Sequence, residues 1–296
     1  MCELLTGNQG LVNSIPMPDL YSSHEEADSR IILHCMYALQ QPTTERVIVR
    51  LPDSDVFLLL LSFSDAISKP LIFDTGSGNN RRQLNITDLA ATMSERLRDA
   101  IISLQAFTAC DSTSCFAGKG KLKALKMLQG DQDLKDTFSR FDTLETISGQ
   151  DMQVIETFVC QLYGKPSHTR VRYDKVRQYF KGKKGILSNS EGVVLSQMPP
   201  CQDVLTLHTQ RANLQTKIWR ASSSNFPDLP KPENNGWCLS SSGGLERKWF
   251  SKDFIPNELQ DILTDTLGTD DALEKELQDD NLSSHEEDIS DTDDEL

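Results

Sequence analysis

No apolar run in this 296-residue chain approaches the 18 or so residues that a membrane-spanning helix requires; the longest strong one is Val56–Leu61. The opening, M-C-E-L-L-T-G-N-Q-G, lacks a basic region followed by an apolar core, so a secretory signal is not expected. The seven cysteines include no C-x-x-C pair, and none has a histidine at metal-ligand spacing. That pattern argues against zinc. It suits reduced thiols in a nuclear or cytoplasmic protein. There is no internal repeat, which argues against a solenoid. Basic residues are scarce at one end: Asp253 to Leu296 holds 17 acidic residues and one basic, Lys275, for a net −16. Against the total of −14, this leaves +2 for the first 252 residues. The low pI is thus expected to belong to a disordered acidic tail with a protein-binding role, not to the fold.

The rest of the chain reads as strands alternating with helices, then helices alone. Val47–Leu51 is a β-branched run of the kind found in buried parallel strands. Leu71–Phe73 predicts a second strand, and Gln83–Ile86 a returning one after the loop G-S-G-N-N-R-R. Ser23 opens a capping box, S-H-E-E, before apolar residues at helical spacing. Further helices are expected over 56–61, 87–98, 100–107, 121–128, 134–140, 151–163, 173–180 and 201–220. The organisation that follows is an α/β core over 1–130 with a parallel sheet, a helical extension over 131–220 and a linker over 221–235. A small segment over 236–263 would dock Trp237 and Trp249, and an acidic tail would occupy 264–296.

Three acidic motifs carry the chemistry: H-E-E-A-D-S-R at 24–30, P-D-S-D-V at 52–56 and A-C-D-S-T-S at 109–114. Asp53 and Asp55 follow a strand at the edge where open α/β sheets bind ligands. The plain alternative is a turn and helix cap, with Asp55 accepting backbone N–H bonds. Glu26 falls at the N3 position of the capping box, where it would bond back to the cap. Asp28 shares a helical face with Ile31, Ile32 and Cys35, and a carboxylate facing a core needs a cation, donors or a proton. Asp111 could simply cap the following segment. In G-K-G-K-L-K-A-L, Gly118 and Gly120 let a backbone approach closely, while Lys119, Lys121 and Lys123 add charge beside a helix N-terminus. A solvated lysine-rich helix is the alternative. Residues 165–184 hold eight basic residues against one acid, with Tyr173, Tyr179 and Phe180 interleaved, a composition suited to tracking phosphates.

Taken in order, E-A-D, D-S-D and C-D-S-T-S followed by G-K-G-K-L-K-A-L resemble the PIN-like nuclease core of flap-endonuclease/XPG type. The span from about Pro18 to Phe250 is similar, more specifically, to a group of animal proteins linked to mobile elements. Their signatures read H-E-E-A-D-T-R, P-D-T-D-V, T-G-C-D-T-T-S, G-K-G-K and a late G-W…W. The resemblance implies that Glu26, Asp28, Asp53, Asp55 and Asp111 hold two Mg²⁺ or Mn²⁺ ions that activate water on a phosphodiester. Asp28, Asp53 and Asp55 would be catalytic. Gly118 to Lys123 would grip the backbone of duplex or branched DNA through a helix–two-turn–helix. Fewer than 25 residues precede the E-A-D motif, where that family carries earlier aspartates on N-terminal strands. The expectation is a core lacking those strands and an incomplete metal site. Three functions follow: a metal-dependent nuclease, active or decayed; a non-catalytic nucleic-acid- or protein-binding module on the same fold; and a haloacid-dehalogenase-type phosphotransferase with Asp53 as nucleophile.

Overall fold

The computed structural model describes residues 2–6, 12–164 and 199–249; side chains are described from residue 16 onward. The expected helix over 173–180, the basic run around it and the acidic tail lie outside the described residues. Met1–Phe250 forms one compact unit. It is a mixed α/β arrangement with eight α-helices among the described residues. No helix there is long and apolar enough to cross a membrane.

Two strands, β1 (Cys2–Thr6) and β2 (Val12–Pro16), pair antiparallel, Thr6 opposite Val12. Helix α1 (Ala27–Gln40) follows, then strand β3 (Val47–Arg50), helix α2 (Ser54–Ser62) and strand β4 (Leu71–Thr75). Because α2 carries the chain back across the sheet, β3 and β4 run parallel, Val47 opposite Leu71. A six-residue loop cannot make such a crossover, so β5 (Arg82–Asn85) returns antiparallel to β4. The sheet of order β3-β4-β5 is therefore mixed, with a single parallel pair among the described residues. This corrects the expectation of a parallel sheet. It also corrects the burial expected for β3, an edge strand whose Ile48 is 46% exposed while Val49 is buried.

The expected helix over 87–98 divides into α3 (Ile86–Ala91) and α4 (Glu95–Thr108), because the Ser94 side chain caps a new helix at Leu97 N. Helix α4 is buried on every face from Ala100 to Thr108, which places it at the centre. Around it pack α2, α5 (Lys121–Gly130), α6 (Gln132–Ser139) and α8 (Gln202–Arg220), and α7 (Gly149–Leu162) closes against α5, α6 and α8. Phe107 is fully buried and lies within about one ring diameter of Phe116, Phe138 and Phe158, with centroids 5.2, 5.4 and 6.1 Å away. These aromatics fasten α4 to α6 and α7.

The segment 221–235 holds two short 3₁₀ turns, Ala221–Ser223 and Pro232–Asn234, and is tied to the N-terminal segment. Asn225 donates to the carbonyls of Asp19 and Tyr21, its own carbonyl accepts from Ser23 N, and His24 Nε2 meets Ser224 O at 2.7 Å. The expected capping box at Ser23 does not form. Ser23 spends its backbone N–H on Asn225, and α1 begins at Ala27 with Glu26 as its N-cap residue. Strands β6 (Trp237–Leu239) and β7 (Leu245–Arg247) make a short hairpin. Trp237 is half-buried on it, but Trp249 is 75% exposed, against the expectation that both tryptophans dock.

Candidate functional site

Two helix starts and one loop supply the acidic side chains. Glu26 and Asp28 stand at the N-terminus of α1, Asp53 and Asp55 at the N-terminus of α2, and Asp111 in the loop that follows α4. Pro52 ends the run of β3 and Asp53 caps α2, its Oδ1 accepting from Asp55 N at 2.7 Å. The cap is thus Asp53, not Asp55. Asp55 is left to face inward, where Gln105 of α4 donates to its Oδ1 at 2.5 Å. Glu26 does not bond back to its own helix. Its two carboxylate oxygens each lie 3.1 Å from Gln215 Nε2, and Trp219 Nε1 donates to Oε2 at 3.2 Å. The Asp111 loop is closed by a bridge between Cys110 and Thr113, and its Ser112 hydroxyl donates to Gln215 Oε1 at 2.6 Å.

Asp28 is the electrostatic centre of this group. It is half-buried and accepts no hydrogen bond among the described residues. Its pKa is pushed up to about 6, first by burial and then by the charges of Asp53, Glu26, Asp55 and Asp111. The other four carboxylates named from the sequence therefore all lie within electrostatic reach of Asp28. Asp55 is also raised by burial, opposed by the Gln105 hydrogen bond and by the positive charge of Lys121. Asp74, near the carboxyl end of β4, is buried but belongs elsewhere: Arg81 pairs with it at 2.5 Å.

The glycine-lysine turn borders the same site. Gly118 has φ +64°, the left-handed region that favours glycine, and no atom crowds the position of a Cβ there. Gly120 precedes α5 without a side-chain cap, and no acid occupies the first turn, so the leading N–H groups of α5 have no side-chain acceptor. The lysines divide by role. Lys119 Nζ lies 4.5 Å from the Tyr163 ring centroid, and Lys123 Nζ donates to Leu162 O at 2.7 Å, which fastens α5 to the end of α7. Lys121 is exposed, makes no ion pair among the described residues, and is the lysine felt by Asp55.

The donor set is chemically suited to a hard divalent cation: carboxylate oxygens, one of them on a half-buried side chain on which four like charges act. Closure is a separate matter. Among the described residues, no three His, Cys, Asp or Glu side chains stand close enough to clasp one ion. The carboxylates are gathered but open.

Three residues of the site have no motif around them: Gln105, Gln215 and Trp219. Their signal is a buried polar stripe. On α8, His208, Arg211, Gln215 and Trp219 recur at helical spacing and are all buried. Polar groups on a core face need partners, and here those partners include the acidic site and its loop. No protein-family model matches the chain, and no curated protein or solved structure is found similar to it.

Proposed function

We propose that this chain is a divalent-metal-dependent, nuclease-like protein that binds the backbone of duplex or branched DNA, on a core of the PIN-like, flap-endonuclease/XPG type. The observation that carries the reading is the convergence of four like charges on Asp28, from three segments remote in sequence. Uncompensated, such a cluster costs stability, and a hard cation removes the cost. Asp28, Asp53, Asp55 and Asp111, with Glu26, would hold one or two Mg²⁺ or Mn²⁺ ions. When bound, such ions activate water and stabilise the leaving oxygen of a phosphodiester.

The remaining residues have their own tasks. Gln105 and Gln215 orient Asp55 and Glu26. Asp28, with a pKa of about 6, can exchange a proton near neutral pH. Lys121 and the leading N–H groups of α5 offer a berth for a backbone phosphate beside the carboxylates.

A second reading, a non-catalytic nucleic-acid-binding module, is favoured by the open arrangement of the carboxylates. The phosphotransferase reading has less support, because one Asp53 oxygen, Oδ1, serves as a helix cap and only Oδ2 is left to attack.

Calorimetric titration with Mg²⁺ and Mn²⁺ tests this, comparing the chain with an Asp53→Ala/Asp55→Ala variant alongside cutting of flapped DNA. Saturable uptake and metal-dependent cutting, both lost in the variant, are expected. Uptake without cutting selects the non-catalytic module. Absence of saturable uptake overturns the reading.

A further inference from the structure

On the other side of the Asp111 loop, Ser114–Ala117, α8 and the β6–β7 hairpin enclose a cavity of about 280 Å³. Its walls are aromatic and cationic: Phe116, Tyr163 and Trp249 line it together with His208, Arg211 and Arg247. Arg211 is the unusual member. It is 7% exposed, has no carboxylate partner among the described residues, and makes one hydrogen bond, from Nη1 to Gly236 O at 3.0 Å. Its Nε has no acceptor among the described residues. A buried guanidinium ordinarily has an anionic partner, because removing the charge from water without one is costly. Here the charge that acts on it is that of another cation, Arg247, and Lys248 lines the same opening. His208 supplies no negative charge either: burial holds it neutral, its pKa lowered to about 4, and Nε2 is engaged by Phe107 O at 2.7 Å.

We propose that this cavity is a binding site for a nucleotide bearing a phosphate monoester, the phosphate paired with Arg211 and Arg247 and the base against Trp249 and Tyr163. The size agrees. Small-ligand sites run from roughly 300 to 1,000 Å³, so a cavity just under that range takes one nucleotide and not two. The aromatic walls agree too, since every base has a face to stack and cationic neighbours reinforce the contact. The same chemistry is presented by a free mononucleotide and by the 5′-phosphorylated end of a strand. Arg211 and Gln215 are one helical turn apart on α8, roughly 6 Å along its axis, so the cavity adjoins the carboxylates without sharing their residues. The inference does not rest on the nuclease reading.

The test is titration of the full chain in EDTA with adenosine 5′-monophosphate, adenosine, inorganic phosphate and a short 5′-phosphorylated single strand, followed by calorimetry and tryptophan fluorescence. The mononucleotide is expected to bind without metal, about tenfold or more tighter than adenosine, as loss of a charge-assisted pair implies. Arg247→Gln and Trp249→Ala alter exposed side chains and preserve the fold. Each is expected to weaken binding by about fivefold or more. Asp53→Ala/Asp55→Ala should bind the mononucleotide unchanged, so failure of the metal site and failure of this site are told apart. Tighter binding of the phosphorylated strand than of the mononucleotide, with the same sensitivity to Arg247→Gln, makes the ligand a strand end; equal binding makes it a free nucleotide. No mononucleotide binding at millimolar concentration overturns the proposal. So does binding that ignores both variants, or inorganic phosphate binding as well as the nucleotide.

Discussion

Gln215 and Glu26 are separated by 189 residues, yet the Gln215 amide straddles the Glu26 carboxylate, 3.1 Å from each oxygen. The same amide accepts the Ser112 hydroxyl at 2.6 Å, so one side chain of α8 fixes both the start of α1 and the loop that carries Asp111.

Gln215→Leu is therefore expected to release both segments. Each lost hydrogen bond contributes about 1 kcal/mol, and bonds to a charged partner somewhat more. We expect a loss of about 2 kcal/mol in chemical denaturation, together with weaker Mg²⁺ uptake. A variant with unchanged metal affinity would mean that Gln215 serves packing alone.

Asp28 predicts a pH dependence of unusual sign. Its folded pKa of about 6 is above the ordinary carboxyl value of 3.8. The folded state therefore binds more protons than the unfolded one between those values, and stability falls as pH rises from about 4 through about 6. For a fully buried group the shift would correspond to about 3 kcal/mol; half-exposed, Asp28 is discounted to about 1 kcal/mol. In EDTA at pH 7.5, Asp28→Asn should melt about 2–4 °C higher than the unsubstituted chain, and the two should coincide near pH 4. Mg²⁺ should reverse their order at pH 7.5. Differential scanning fluorimetry at the two pH values decides it.

Lys121 and Lys123 are two residues apart and should behave differently. Lys121 is exposed beside Asp55, whereas Lys123 caps the end of α7. Lys121→Ala is expected to reduce the salt slope of DNA binding by about one with little change in stability. Lys123→Ala should lower stability by about 1 kcal/mol instead. Binding isotherms from 50 to 200 mM salt separate the two.

Gly236, like Gly76, is a glycine that the fold tolerates poorly as alanine. Its φ is +82°, and an added Cβ would lie 2.5 Å from Leu207 O and 2.9 Å from Arg211 Cγ. Backbone strain of about 1–2 kcal/mol adds to this clash. Gly236→Ala should cost more than about 2 kcal/mol and displace the β6–β7 hairpin. Gly118→Ala, with open space around it, should cost about half as much. Paired denaturation curves check both.

Most helices were legible because their apolar spacing and caps are local. The ranges of α5, α6, α7 and α8 follow the periodicity of their sequences, and the Q-L-N strand follows its loop. What misled was local chemistry with two outlets. S-H-E-E is a sound capping box, but Ser23 is drawn to Asn225 and Glu26 to Gln215, partners some 190 or more residues away. A strand of β-branched residues reads as buried, although Ile48 sits on an open edge.

The sequence by itself determined the order of elements and the positions of the five carboxylates at element ends, because caps, turns and apolar periods act over a few residues. Tertiary structure alone decided that those carboxylates meet around Asp28 and that Gln105, Gln215 and Trp219 hold them. It also decided that Arg211, without a carboxylate partner among the described residues, faces a cavity one helical turn away. Electrostatic and hydrogen-bonding partners are chosen by distance in space, and no local pattern encodes which helix will lie across the next.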